Sequence, residues 1–494
     1  MAERRSPLQA IRCAFHRFGR DERGAVLVFW GMFLAVAFGF LALAVDFGRV
    51  AGTQTELQSF ADQVALAAAG ELDGRADAIT RATAAADQLI ADWQTFAAGS
   101  RTLSGSDDFT LTFRSTLPSS DTVGATATTT DPALARFVTV TVNTQNVPTP
   151  YAYVAGVLSG NSGRDDSQIF AEATAGTSAF ACDVTPLMFC VPDSTWRADA
   201  NRGRQIMLRS GGQGSAWGPG NFGFLDPTTL PTDEAGPCAG LNGANLYRCL
   251  VGAERAVTSC LRVDQRVDTE TGQRVGLAEA FNTRFDIYRG NMNGVTNDPA
   301  YRPAPNTVQG TLPRGGSSCR GNNTDVSDAL PLPRDTCITT GTCGRFGDGN
   351  WNRTAYFNQN HGGIPPTGTG ASSTRYAVYL AEIAQANSRP APDNVPLPGK
   401  LETGAPQCHR SGPSPDPDRR TIIAAAVDCT AQNISGNTRN VVPLEYVKLF
   451  MTEPVASPGG TSDAEIMVEV VGGVGGVGSG AVVGSFRELV QLYR

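Results

Sequence analysis

From Gly24 to Val45 the chain runs for 22 residues without a charge, ending Phe-Leu-Ala-Leu-Ala-Val. At about 1.5 Å per residue this run crosses the roughly 30 Å hydrocarbon core of a bilayer, so the pattern predicts a transmembrane helix over residues 24–45. A cleaved secretory signal has a shorter apolar core, of about 7–15 residues, ending at a small-residue site. Here the apolar run is longer and helix-like sequence follows it, so a retained anchor is expected. Beyond it Val50, Thr53, Leu57, Phe60, Ala61, Val64 and Ala68 recur at steps of three and four, one stripe of a helix. After Gly70 and a cap at Asp73, a second stripe runs through Ile79, Ala82, Ala86, Leu89, Trp93 and Phe96. Its alternating steps of three and four make a seam suited to packing on another helix, within the chain or from a partner.

The period then changes to two. Asp108–Phe113 and Phe137–Val142 alternate apolar residues with threonine, as half-buried strands do. Pro148 and Pro150 break this run before an apolar patch from Tyr151 to Leu158. Further strands are expected at Gln168–Thr174, Gln205–Leu208, Thr421–Val427, Val441–Met451 and Ala464–Val471. Residues 288–372, rich in Asn, Gly, Pro and Thr, read as long loops. The expected fold class is α+β. An N-terminal transmembrane helix and juxtamembrane helices precede a disulfide-braced, mainly antiparallel β domain with long loops. The divisions are 1–23, a tail; 24–45, the membrane helix; 46–100, juxtamembrane helices; 101–180, a β-rich region; and 181–494, a cysteine-containing domain.

Charge supplies the orientation. Arg4, Arg5, Arg12, Arg17, Arg20 and Arg23 crowd the N-terminal side of the apolar run, against Glu3, Asp21 and Glu22. Only Asp46 and Arg49 follow it closely. The positive-inside rule puts residues 1–23 in the cytoplasm and the body outside. With a net charge of −7 and a basic tail, the body is acidic, which argues against nucleic acid as a partner. The cysteines fit this topology. Cys13 lies on the cytoplasmic side, and Cys182, Cys190, Cys238, Cys249, Cys260, Cys319, Cys337, Cys343, Cys408 and Cys429 all lie beyond the span. An even number in an oxidising compartment predicts a disulfide framework. Close spacing suggests Cys182–Cys190 and Cys337–Cys343 as the first pairs.

Motifs with catalytic or ligand chemistry fail on context. There is no C-x-x-C, and Cys408 and His409 are adjacent, so they point apart on a strand. Gly218-x-Gly220-x-x-Gly223 and Gly473-x-Gly475-x-x-Gly478 match G-x-G-x-x-G. A dinucleotide fold needs a following helix and an acid about 20 residues on. The first match runs into Pro227 and Pro231, and only 16 residues follow the second. Asp348-x-Asn350-x-Asn352 begins like a calcium loop but has Arg353 at the glycine position and Gln359 where a glutamate closes the cage. No catalytic residue, metal, cofactor or small-molecule substrate is expected.

The stretch from Arg23 to Ala69 resembles the N-terminal domain of the TadE/TadG-like Flp (tight adherence) pilus-assembly proteins. The pattern is Arg23-Gly24-Ala25, an apolar span, then Leu43-Ala44-Val45-Asp46 with Gly48-Arg49. It closes with Leu57-Gln58, Ala61-Asp62 and the alanine-rich run from Ala65 to Ala69. Gly24, Asp46, Gly48, Leu57 and Asp62 carry the pattern. The paired cysteines and the closing Val-Gln-Leu-Tyr-Arg look similar to the TadG-like branch. The resemblance implies a bacterial inner-membrane protein with a periplasmic body, partnered by other pilus-assembly proteins and acting through contacts. Prepilin processing in such systems uses a Gly followed by Glu at the fifth position; after Gly24 the fifth residue is Phe29. That departure favours a permanently anchored factor over a processed subunit. Some TadG-like proteins carry a von Willebrand A-type domain with an Asp-x-Ser-x-Ser metal loop. Here Asp183-x-Thr185-x-Leu187 lacks the second hydroxyl, a lost oxygen ligand for a hard cation. The alternatives are a membrane-tethered periplasmic enzyme and an adhesin-like binding domain using this degenerate loop.

Overall fold

In the computed structural model, the apolar run and the first helical stripe form one uninterrupted 45-residue helix, α1 (Ala25–Ala69). The structure describes residues 25–93 except 74, 75 and 90; 95; 102–104; 107–118; 127–151 except 133; 153; 167–211; 216–227; 236–255; 260–270 except 264; 279–313; 319; 323–456; 464–474; and 486–493. Two compact units divide it. One comprises residues 1–177 with 490–494, the other residues 178–489.

In the first unit α1 packs with α2 (Ala78–Leu89) on an antiparallel sheet. A short hairpin pairs β1 (Ala91–Trp93) with β2 (Thr102–Ser104). The main sheet has the order β16-β5-β4-β3, built from β3 (Phe109–Arg114), β4 (Phe137–Val147), β5 (Ser167–Cys182) and β16 (Phe486–Leu492). Period-two alternation puts Val138, Val140, Val142, Ala171, Ala173 and Ala175 on the face that meets α1. The stripe of the sequence supplies the other side: Leu57, Phe60, Ala61, Val64 and Ala68 are fully buried. Ala65, Ala68 and Ala69, with only a methyl each, are buried in the same cluster.

The second seam is shorter than its spacing implied. Ala82 and Ala86 are buried with α1, and Ile79 packs beside them, so the seam serves an intramolecular hairpin. The helix ends at Leu89, Trp93 lies in β1 opposite Thr102, and Phe96 falls outside the described residues. Hairpin pairing won here, since tryptophan suits a strand as well as a helical stripe.

The second unit is a closed six-stranded barrel. Its strands are β6 (Leu187–Cys190), β7 (Gln205–Ser210), β8 (Asn221–Leu225), β13 (Thr421–Val427), β14 (Glu445–Met451) and β15 (Glu465–Val474). The ring runs β8-β6-β13-β14-β15-β7 and closes by pairing β7 with β8. Two of its pairings are parallel, β6 with β13 and β7 with β8, and the other four are antiparallel, so the body is mainly antiparallel as expected. All six strands send alternate residues into one interior cluster, among them Leu187, Phe189, Ile206, Phe222, Ala424, Val447 and Val468. α3 (Gly243–Gly252) adds Tyr247 and Leu250 to it. β9 (Cys260–Arg262), β10 (Thr269–Glu270) and the hairpin of β11 (Thr311–Pro313) with β12 (Asn323–Asp325) lie outside the ring.

The stretch 288–372 is also more ordered than loops. It contains the short helix α4 (Thr336–Thr339) and α5 (Arg353–His361), and α6 (Arg375–Ser388) follows. Asn352 caps α5 by accepting from the Ala355 amide, and Gly362 ends it at a φ of 62°. Thr374 caps α6 in the same way through the Ala377 amide. Trp351, Tyr356, Phe357, Val378, Tyr379 and Ile383 form a core with Phe450 of β14.

All ten cysteines beyond the span are joined: Cys182–Cys260, Cys190–Cys429, Cys238–Cys249, Cys319–Cys408 and Cys337–Cys343. The close pair Cys337–Cys343 is present, whereas Cys182–Cys190 is not. Cys182 lies opposite Cys260 across the β5–β9 pairing, and Cys190 sits beside Val427, two residues from Cys429. Strand register, not sequence distance, chose these partners.

Candidate functional site

The first half of α1 is the one described segment long and apolar enough to cross a membrane, and its apolar side chains are uncovered. Leu27, Phe29, Phe40 and Phe47 are each about two-thirds exposed. The second half of the same helix is the core of the first unit. No break in the helix separates the two halves.

The residues of the family pattern fall along this helix, apart from Gly24, which lies outside the described residues. Asp46 is buried at the end of the apolar run. A Cβ at Gly48 would meet nothing within 4 Å, so that position leaves the helix surface open. Leu57 is fully buried, and Asp62 accepts from Gln58 at 2.8 Å. Gln58 also donates to the Glu172 carbonyl at 3.1 Å. The Leu-Gln and Ala-Asp positions thus fasten the helix to β5.

In the second unit a buried ionic clamp holds α6 to the outside of the barrel. Arg375, at the first turn of α6, donates to Glu469 of β15 at 3.0 Å and to Asp335 at 2.5 Å, and all three side chains are fully buried. Glu469 also accepts from the Arg375 and Tyr376 amides, both at 2.9 Å. Asp335 accepts from the amides of Gln205 and Gly349 at 3.1 and 2.8 Å. Burial pushes the Glu469 carboxyl up, and Arg375 opposes that shift. A second cluster centres on Glu382, which accepts from Tyr356 at 2.7 Å and Asn306 at 2.6 Å and meets His361 Nε2 at 2.8 Å. Neither cluster was visible in the sequence, since its members stand tens to hundreds of residues apart.

These groups are saturated by one another. The cavity beside Glu402, lined by Phe285, Asp286, Gln309 and Gln407, has a volume of about 20 Å³, room for a water molecule. Glu402 accepts there from the Gln309 and Gly310 amides, and burial raises its carboxyl to about 7. Arg420, also buried, lies over the rings of Phe285, Tyr379 and Phe450 and donates to the Met451 and Thr452 carbonyls. Such an arrangement braces loops and helices. Cys408 is bonded to Cys319, and His409 uses Nε2 on the Asp298 carbonyl and Nδ1 on the Ser411 amide.

The motif look-alikes resolve into turns and strands. Gly220 has a φ of 78° and leads into β8, not a helix. A Cβ on Gly223 would sit 2.2 Å from the Trp217 ring, so this glycine is required by close packing. In the second match, Gly473 lies in β15, while Gly475 and Gly478 fall outside the described residues. Asp348 closes a turn on Asn350. Asp183 occupies the left-handed region at a φ of 55°, while Leu187, two residues past Thr185, is fully buried in the barrel. Among the described residues no group of three or more His, Cys, Asp or Glu could hold a metal.

One barrel carboxylate gives the second unit a pH dependence. Glu445 opens β14, accepts from the Ala198 amide at 2.7 Å, and is raised by burial to about 7. Its proton is held more tightly in the folded state. The associated stability is therefore full below the usual glutamate value and lost as pH rises through about 7. Between pH 4.5 and 7.5, Glu445→Gln should flatten the decline in the unfolding free energy of the full chain, read from urea titrations, by about 2 kcal/mol. A variant with the same pH profile as the native chain would remove this residue from the account.

No curated protein and no solved structure matches the chain. Residues 24–71, which are α1 with the residue before it and the turn that ends it, match the family model described as putative Flp pilus-assembly TadE/G-like, so the likeness lies in the N-terminal helical segment.

Proposed function

We propose that this chain is a single-pass, non-enzymatic component of Flp pilus assembly, of the TadG-like branch, that works by protein contact in the bacterial envelope. The inner membrane holds α1, the N-terminal tail lies in the cytoplasm, and the disulfide-braced body lies in the periplasm. The observation that carries this reading is the continuity of α1 within the matched residues: an apolar span that becomes, without a break, the core of a folded unit. Such an element is suited to fixing a body at the membrane for other pilus-assembly proteins to engage, with a role in surface adhesion. The arginine asymmetry supports the orientation, and the five disulfides suit an oxidising compartment.

Deleting the gene should abolish or sharply reduce pilus-dependent adherence while envelope integrity is retained. A C-terminal alkaline phosphatase fusion should be active. Normal pili in the deletion strain would bring the tethered-enzyme reading forward, and an inactive fusion would reverse the orientation. The adhesin-like reading requires divalent-cation binding at Asp183, which the burial of Leu187 opposes.

A further inference from the structure

Three hydrogen bonds fix how β5 runs along α1. Gln54 donates to the Phe170 carbonyl at 3.2 Å, Gln58 to the Glu172 carbonyl at 3.1 Å, and Thr177 to the Leu72 carbonyl at 3.3 Å. Strand and helix therefore run in the same direction, and the start of β5 is its end nearest the span. Gln54 lies eight residues beyond Asp46, about 12 Å along the helix axis. Stepping back from Phe170 to Ser167 covers about 10 Å of strand. Ser167 thus lies close to the level of Phe47, where the apolar run ends. Val147 pairs with Ser167, so the end of β4 reaches the same level.

This end of the sheet exposes aromatic side chains. Tyr151 is 44% exposed and Tyr153 47%, past the end of β4 at the level of Phe47, itself 69% exposed, and Phe170, 62% exposed, lies about 10 Å further from the span. The turn that carries the tyrosines is held in place. Val147 is fully buried, Thr149 is nearly so, and the Tyr153 amide donates to the Thr149 carbonyl at 3.0 Å. A cluster of uncovered aromatics on a small folded unit marks a contact surface. Tyrosine, with an apolar ring and a polar tip, suits the headgroup layer of a bilayer.

We propose that Tyr151, Tyr153 and Phe170 dock the first unit onto the lipid surface from which α1 emerges, giving it a second membrane contact beside the span. The partner is the lipid interface because the tyrosines follow the end of β4, which reaches the level where the apolar run ends, with Phe170 on the outer side of the patch. The effect is to restrain tilting of the unit about α1. The inference rests on α1 spanning the bilayer, which the same experiment reads separately.

The test uses the full chain with Cys13→Ser, reconstituted in vesicles of phosphatidylethanolamine and phosphatidylglycerol. An environment-sensitive fluorophore is placed on Tyr153→Cys, Phe170→Cys, Leu134→Cys or Phe40→Cys. Leu134 is 53% exposed but precedes β4 at the opposite end of the sheet, about 30 Å away, so it controls for exposed apolar surface as such. Nitroxide lipids labelled at the headgroup should quench probes at 153 and 170 several-fold more than the probe at 134. Lipids labelled deep in the acyl chain should quench the probe at 40. Equal headgroup quenching at 153, 170 and 134, with 40 quenched, overturns the docking and leaves the span intact. Loss of quenching at 40 overturns the span itself. Probes at 153 and 170 shielded from both lipid nitroxide and aqueous iodide would show a protein covering the patch, which also overturns lipid docking.

Discussion

Arg375→Met should destabilise the second unit by roughly 3–5 kcal/mol, because it strands two carboxylates in a place water does not reach. Asp335 and Glu469 each lose their cationic partner, and the amides they still hold cannot neutralise two negative charges at full burial. For a unit of this size the loss corresponds to a fall of roughly 5–8 °C in thermal midpoint, read by near-ultraviolet circular dichroism of the full chain in detergent. Adding Asp335→Asn and Glu469→Gln to Arg375→Met should recover part of the loss, since the cost lies in unpaired charge and not in the missing side-chain volume. Arg375→Met costing under about 1 kcal/mol would mean that the site admits water and that the clamp is not a buried one.

Removing the Cys190–Cys429 bridge should cost about 5 kcal/mol, against about 2 kcal/mol for Cys337–Cys343. The bridges differ in the chain they close, 239 residues for the first and 6 for the second. In the chain-entropy account a longer closed loop removes more freedom from the unfolded state. The first bridge also fastens the end of β6 to the chain just past β13, where both sulfurs are buried, so its loss leaves a cavity as well. Urea unfolding of Cys190→Ala/Cys429→Ala beside Cys337→Ser/Cys343→Ser decides the matter. Equal losses would show that the unfolded chain is already compact where the long loop closes.

Local patterning made the first unit legible. The stripe from Thr53 to Ala68 is buried as its spacing required, β3 and β4 follow their alternation of apolar residues with threonine, and β5 covers the strand expected at Gln168–Thr174. In the second unit the long apolar strands β13, β14 and β15 were readable, but two barrel strands were not. β6 has four residues and β8 carries Gly223 at its centre, so neither offers a period long enough to recognise. α6 was hidden for another reason. Its buried face includes Arg375 and Glu382, and charged residues on the inward stripe erase the amphipathic signal.

The apolar helix, its arginine flank, the helical and strand periods and the even number of cysteines beyond that helix follow from residues adjacent or a few positions apart, where propensity and solvent transfer act locally. Barrel closure, the disulfide partners and the Arg375 clamp depend on residues separated by tens to hundreds of positions. Gln205, Asp335, Arg375 and Glu469 meet because β7, the loop before α4, α6 and β15 converge. Cys190 reaches Cys429 because β6 pairs in parallel with β13. Such meetings come from packing that returns the free-energy cost of closing long loops, and that cost and return exist only once the whole unit is assembled.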